Sequence, residues 1–378
     1  MMDFSGERER FPILSERVYF AQQCLGATPA EMDADLAAYA ASIARRSRAL
    51  GEWAERWWEM HRLVESLLAA PPGSVFLRDS ATAAQAAVAS ALDARPERSR
   101  VIIGTADFHS SRYLWRAQAS RGFDIVEVQT LGAAADDAVR IASMIDERTR
   151  VVALSLVSPR TGALLDTTPI VRAARRAGAI VVLDAYQAIG IVPVRVGDLG
   201  AHVVVGGFHK WVGGGGTGLA FGYVEPALLR ELQPAYPGWL AHKDLMGFCD
   251  DFEAAHTAEK LQQGMPGMEP VYTTRAGLEW ILVRGIDPIR ARSLELTDRI
   301  LAAAEEHRLP VITPRAAARR GGMVCIDVPD GKRLVAELAV DGIDIDARPG
   351  AGIRLGPHPS ATFEECDRVV ARIAARLL

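Results

Sequence analysis

Short apolar runs recur through the first two-thirds of this chain, most of them separated by a helical stretch, and this alternation limits the fold more than any other feature. Val75-Phe76-Leu77 reads as a strand, followed by Asp79-Ser80-Ala81-Thr82 and an Ala-rich helix to about residue 92. Val101-Ile102-Ile103 is the next strand, residues 111–120 a helix, and Ile125-Val126-Glu127-Val128 a strand again. Residues 151–157 form a buried-type run, and Asp166-Thr167-Thr168-Pro169 offers N-cap residues with proline just inside the helix that follows. That helix closes near Gly178, and residues 179–183 are apolar throughout; Val203-Val204-Val205 and residues 219–224 add two more strands. Strand and helix in alternation with short connections specify an α/β fold, a mostly parallel sheet covered by helices on both faces.

The pattern changes after about residue 278. A long helix (288–307), a strand (322–328), a helix (332–340), a strand (343–348) and a closing helix (362–378) read as a smaller α+β unit. A chain of 378 residues accommodates two such domains. The expected division is a large domain over 26–284 and a small domain made of 1–25 with 285–378. Upstream, residues 29–68 read as one helical stretch, with Trp53, Trp57 and Trp58 as packing residues.

The formal charge of −4 gives no basis for nucleic acid or an anionic membrane as partner. No run of about 18 apolar residues is present, so a membrane span is not expected. Residues 1–8 are charged where a secretion signal needs an apolar core. Cys24, Cys249, Cys325 and Cys366 are scattered without metal spacing. They suit a reducing cytoplasm, and no metal is expected.

Open α/β sheets bind ligands at the carboxyl ends of their strands, and three polar features fall there. Asp184 directly follows the run Ala179-Ile180-Val181-Val182-Leu183; such a carboxylate binds a metal, orients a base, pairs with a cationic ring or simply caps a helix. Lys210 lies in Phe208-His209-Lys210-Trp211, ahead of Gly213-Gly214-Gly215-Gly216-Thr217-Gly218. A desolvated lysine amine suits carbonyl chemistry, and glycines let the backbone approach a bound group closely. Ser80-Ala81-Thr82 opens a helix, where free N–H groups bind phosphate or form an ordinary cap. It lacks the nucleotide P-loop pattern. Taken together, Ala81 and Thr82 as an anion cradle, Asp184 under a ring nitrogen and Lys210 as a Schiff-base amine describe a site for pyridoxal 5'-phosphate (PLP). Phe108, just past a strand end, is either a ring-stacking residue or a core phenylalanine.

These residues resemble the class V branch of fold-type-I PLP enzymes, and the strings are most similar to those of kynureninases. Leu183-Asp184-Ala185-Tyr186-Gln187-Ala188-Ile189-Gly190 with Pro193 resembles the family's Asp motif, and His209-Lys210 its lysine motif. Pro237-Gly238-Trp239-Leu240-Ala241-His242 is similar to the kynureninase G-W-x-x-H segment. Asp346-Ala347-Arg348-Pro349 and Ile353-Arg354-Leu355-Gly356-Pro357 resemble their D-x-R and I-R-x-x-P strings. Val18-Tyr19-Phe20 with Leu25-Gly26 and Pro29 matches their N-terminal segment. The resemblance implies a seven-stranded-type sheet and a homodimer with shared sites. It implies Arg354 on the α-carboxylate of an amino-acid substrate, Gln187 near the PLP O3', and His209 beside the cofactor. Trp239 would act at the substrate or phosphate side across the dimer interface.

The implied activity is hydrolytic cleavage at the β-carbon of an L-amino acid, between Cβ and Cγ of a kynurenine-like substrate. A C–S β-lyase, an aminotransferase, or a PLP-binding protein without turnover are the alternatives. The chain departs from kynureninases at Gln187 and His209, where they have His and Tyr. It departs again in Ala21-Gln22-Gln23-Cys24 and at Gly264, where an asparagine is expected. Cys325 reads as a strand interior, which argues against a cysteine desulfurase, whose reactive thiol sits on an exposed loop.

Overall fold

The computed structural model describes residues 4–130 and 136–377. A two-residue strand β1 (Val18–Tyr19) precedes the main sheet. That sheet contains β2 (Val75–Arg78), β3 (Arg100–Gly104), β4 (Asp124–Val128), β5 (Thr149–Ser155), β6 (Ile180–Asp184), β7 (Val203–Gly207) and β8 (Ala220–Val224). Its seven strands are ordered β2-β8-β7-β6-β5-β3-β4. Only β8 runs against the others, pairing antiparallel with both β2 and β7. From β3 the chain steps outward to β4, then returns to β5 and proceeds the other way to β6 and β7. The order therefore reverses between β3 and β5, the position at which such sheets open a crevice.

The central strands are apolar because both faces are covered. Every residue of β5, β6, β7 and β8 is buried. Alternate side chains feed two cores: Val152, Leu154, Val181, Leu183 and Val204 on one face, and Val151, Ala153, Val182, Val203 and Val205 on the other. Each fully buried Val, Leu or Ile contributes roughly 1.5–3 kcal/mol through lost apolar exposure.

The C-terminal part continues with β9 (Val324–Ile326), β10 (Ile343–Asp344), β11 (Asp346–Arg348) and β12 (Gly352–Leu355). The three-stranded order is β11-β12-β9, antiparallel throughout. A third core forms here from Leu296, Ile300, Leu334, Leu338, Ile353, Val369 and Ile373, with Val18 and Phe20 from the N-terminal segment. Residues 343–348, read from sequence as one strand, are two. Ile343 and Asp344 pair in parallel with β1, and the chain then turns at Ile345 to pair with β12. The N-terminal segment does not belong to this core alone. Phe4, Phe11 and Leu14 pack into the core of the large sheet, where the Phe11 ring lies 5.2 Å from that of Trp280.

The stretch 29–68, expected as one helix, is broken. An α-helix covers Glu31–Ala44, a 3-10 turn Arg46–Ala49, and a second α-helix Leu50–Leu68. Arg46 sits in the left-handed region at φ 54°. The break folds the second helix back so that Trp53 Nε1 donates to Ser42 Oγ at 2.8 Å, and Glu52 accepts from the Tyr272 hydroxyl at 2.6 Å. Tertiary partners, not local propensity, set this boundary. The helix Glu269–Arg284 that receives these contacts is buried on most sides and has little amphipathic period to announce it. Among the described residues, no helix is long and apolar enough to cross a membrane.

One glycine ties the N-terminal segment to the end of the sheet. The Gly26 N–H donates to the carbonyl of His209 at 2.8 Å, and a Cβ at position 26 would collide with the carbonyl oxygen of Lys210. Gly26→Ala is expected to cost about 1–3 kcal/mol, as overpacking does, because its obstacle is backbone and not a yielding side chain. Denaturant unfolding of the two proteins measures this, and equal midpoints would contradict it.

Candidate active site

The carboxyl ends of β2, β3, β5, β6 and β7 converge on one cavity. Asp184 closes β6, in register with Ser155 of β5 and Val205 of β7. Its Oδ1 accepts from the Tyr186 N–H at 2.9 Å and its Oδ2 from Gln85 Nε2 at 3.3 Å. Burial pushes the Asp184 carboxyl upward, while those bonds and the nearby Lys210 ammonium oppose the shift. Gln85 is itself fixed, since its Oε1 accepts from Ser111 Oγ at 2.8 Å and from Trp115 Nε1 at 3.0 Å.

Lys210 lies three residues beyond β7. Its Nζ stands 4.4 Å from the centroid of the Tyr186 ring and 5.7 Å from that of Phe108. Burial brings its amine down to about 8, with Asp184 opposing and Arg354 assisting. An amine in this range is partly free base near neutrality, the state needed to attack a carbonyl. Tyr186 also fixes His209, through a 2.8 Å hydrogen bond between its hydroxyl and Nδ1. Burial and the neighbouring lysine hold His209 down at about 4, so its ring is neutral at pH 7. Gly207 makes room for this arrangement, because a Cβ there would strike the Tyr186 ring.

Ala81 and Thr82 line the cavity from the first turn of the helix Ala81–Ser90, where N–H groups have no intrahelical acceptor. The helix is capped by Ser80, whose side chain accepts from the Ala83 N–H at 3.1 Å. Phe108 is 48% exposed, so it is a cavity-lining residue and not part of the core.

A second, outer cavity shares Phe108, Gln187, His209 and Lys210 with the first. Arg354, on β12, enters it from the C-terminal sheet. Its guanidinium donates to Asp346 and, at 2.8 Å, to the carbonyl of Pro159. Its Nε is buried without a partner among the described residues. Gln187 is more constrained than expected. Its amide donates to the Gln23 carbonyl and accepts from Trp211 Nε1, both at 3.0 Å, leaving one N–H and one lone pair for a ligand.

Of the sequence-derived candidates, only Trp239 lines neither cavity around Lys210. It is exposed on a short 3-10 turn, with its indole N–H donating to Leu245 O at 2.6 Å. Gly264 also lies elsewhere, in a pocket with Arg78, Asp79 and Gly218. Cys325 is a buried residue of β9, and burial pushes its thiol up to about 12, consistent with an inert strand position.

Sequence reasoning missed several residues that the fold brings in. Gln85 is one helical turn after Ala81, a polar side chain in an Ala-rich helix, and that periodicity was the available signal. Asp107 accepts from the Gly104 N–H at 2.9 Å and from the Ser155 N–H at 2.8 Å, joining β3 to β5 at the strand-order reversal. Its carboxyl is pushed up to about 6, chiefly by burial. Cys24 and Arg160 line the outer cavity, and nothing local in the sequence marks either.

The residues present fit PLP. A buried carboxylate faces a buried, partly neutral lysine, a helix N-terminus with free N–H groups lies at one wall, and aromatic rings border the space between.

The aminotransferase class-V family model matches residues 26–369. The chain is 25% identical over 375 residues to a kynureninase of Pseudomonas fluorescens, covering 95% of this chain and 88% of that one. It is 29% identical over 386 residues to a kynureninase of Deinococcus radiodurans, covering 98% and 92%. In structure it is similar to an apo cysteine desulfurase from Thermococcus onnurineus, with TM-score 0.87 and 20% identity over 100% of this chain and 98% of that one. It is also similar to the cystine C–S lyase C-DES in complex with cysteine persulfide, with TM-score 0.86 and 20% identity over 96% and 99%. At these identities the structural likeness concerns the fold alone. With the family match spanning most of its length, the chain belongs to the class V aminotransferase family and is a PLP-dependent protein of fold type I.

Proposed function

We propose that this protein is a kynureninase-like hydrolase that cleaves an L-amino acid between Cβ and Cγ, where Cγ is a carbonyl carbon. The observation that carries the reading is the position of Lys210, common to an inner cavity walled by Asp184 and an outer one walled by Arg354. Similarity to kynureninases over nearly the whole chain supports this reaction over others of the family.

PLP, when bound, supplies an electron sink for charge developing at the substrate Cα. Lys210 would hold it and serve as the base for the substrate Cα proton. Asp184 would keep the ring nitrogen protonated, with Gln85 and the Tyr186 N–H fixing its two oxygens. Ala81 and Thr82 would hold the phosphate, and Phe108 would border the ring. Tyr186 and the neutral His209 hold the lysine loop in place. Arg354 takes the substrate α-carboxylate, replacing part of its bonding to Asp346 with the substrate's two oxygens. Water adds to the Cγ carbonyl and the Cβ–Cγ bond breaks. One water is consumed, and the products are alanine and the carboxylic acid of the acyl fragment. We further propose a cytoplasmic homodimer in which the exposed Trp239 reaches the partner's site.

Incubation with kynurenine tests the reaction, with anthranilate and alanine expected. Pyruvate release from cysteine derivatives, or amino-group transfer to an α-keto acid with no anthranilate, would replace this reading by β-elimination or transamination. Lys210→Ala is expected to lower kcat by roughly 10²- to 10⁴-fold, the usual loss of a general acid–base. Asp184→Asn is expected to lower it by about 10²-fold or more, because a neutral amide no longer holds the ring charge.

The depressed Lys210 amine also predicts the pH dependence of PLP uptake by the apo protein. Only the neutral amine attacks, so the rate should rise with pH and reach half its maximum near 8. Below that it should fall about tenfold per pH unit. A midpoint near 10.5, the ordinary lysine value, in stopped-flow absorbance would contradict the burial argument.

A further inference from the structure

The outer cavity carries more positive charge than one α-carboxylate accounts for. Arg160, Arg348 and Arg354 all line it, together with Lys210. Asp346 lies between two of them, bonding to Arg354 through Oδ2 and pairing with Arg348 through Oδ1 at 2.9 Å. Asp107, the cavity's own carboxyl, is occupied by the Gly104 and Ser155 N–H groups. Arg160 has no ion pair or side-chain hydrogen bond among the described residues. Two of the three guanidiniums therefore share the Asp346 carboxylate, and the third, Arg160, has no carboxylate partner among the described residues.

The two arginines other than Arg354 stand together. Arg348 closes β11, and the turn Pro349-Gly350 follows it. A Cβ at Gly350 would lie 3.5 Å from Nη1 of Arg160, so that guanidinium rests against this turn. Arg348 Nη1 is committed to Asp346 and to the Ala347 carbonyl at 3.1 Å, while Nη2 is 3.5 Å from the Cys24 Sγ, a weak acceptor that leaves this nitrogen open to a stronger one. The loop that carries Arg160 is held in place at two points. The carbonyl beside Arg160, that of Pro159, accepts from Arg354, and the Gly162 carbonyl accepts from the Gly321 N–H at 2.7 Å. Planar, permanently charged forks at the wall of one cavity are suited to carboxylate, sulfinate or phosphonate oxygens.

We propose that Arg348 and Arg160 form a second anion subsite, and that among L-amino acids open to the reaction above the site favours those with an additional acidic group on the side chain over neutral ones such as kynurenine. This names a substrate class for the reaction above and rests on the reading of Arg354 as the α-carboxylate residue. An acidic group at Arg348 and Arg160 neutralises the surplus while the α-carboxylate occupies Arg354. A neutral side chain leaves the pair solvated and uncompensated.

Absorbance titration of the PLP-loaded enzyme tests this with three matched pairs: L-aspartate against L-asparagine, L-glutamate against L-glutamine, and L-2-aminoadipate against L-norleucine. At low salt the acidic member of at least one pair is expected to bind about tenfold tighter or more, the scale of one charge-assisted contact. Arg348→Gln and Arg160→Gln should each reduce that ratio to about threefold or less, and the double variant to about one. The ratio is the readout because any disturbance of Arg354 through Asp346 weakens both members of a pair together. A ratio near one for all three pairs in the unaltered enzyme overturns the proposal, as does a preference unchanged in the double variant. Arg354→Ala is expected to weaken acidic and neutral ligands alike. If they bind it as before, the carboxylate reading of Arg354 fails and the proposal falls with it.

Discussion

The attraction between Lys210 and Asp184, held across a cavity that strips water from both, is the interaction on which the rest of the site depends. Either group alone in that position would be neutralised by burial, the lysine by losing its proton and the aspartate by keeping one. Each moves in its expected direction and each is restrained by the other. The fold achieves this by ending β6 and β7 side by side and spacing the lysine three residues beyond its strand. Tyr186 then fills the gap, with its N–H on Asp184, its ring under Lys210 and its hydroxyl on His209.

A second constraint links the two sheets. Arg354 extends from β12 to the Pro159 carbonyl at the end of β5, and Gln23 Nε2 donates to the Arg354 carbonyl at 3.0 Å. The Gly321 N–H binds the Gly162 carbonyl, and Arg290 secures the same region by donating to the carbonyls of Arg320 and Gly321 at 2.7 and 3.2 Å. The outer cavity is thus a product of packing between two sheets. Its basic lining comes from three separated stretches of chain, around residues 160, 210 and 348–354.

Family membership sets the cofactor but leaves the reaction to the side chains around it, because the same developing charge at Cα serves several outcomes. Here the inner cavity has the features any PLP protein of this fold requires. The outer cavity departs from kynureninase strings in Cys24 and Gln187, and Gln187 is already committed to Gln23 and Trp211. On the proposal of a second anion subsite, discrimination among substrates rests with the arginines of the outer wall.

Much of this was legible in the sequence. Apolar runs of three to seven residues identified the buried strands, because a strand covered on both faces has few polar positions to spare. Asp184 and Lys210 stood out as ionisable residues at the ends of such runs. Local pattern was silent on the break at Arg46, on the division of residues 343–348 and on the helix Glu269–Arg284, since partners distant in the chain decide each of them. It was equally silent on Gln85, Asp107, Cys24 and Arg160. A residue's role there depends on which strand ends are neighbours, and strand order is a property of the folded sheet. The sequence by itself determined the class of fold and the cofactor, through periodicity and residue chemistry. Only the tertiary structure decided that Arg160 shares one cavity with Arg348 and Arg354, because charges so far apart in the chain interact only once packing has brought them together.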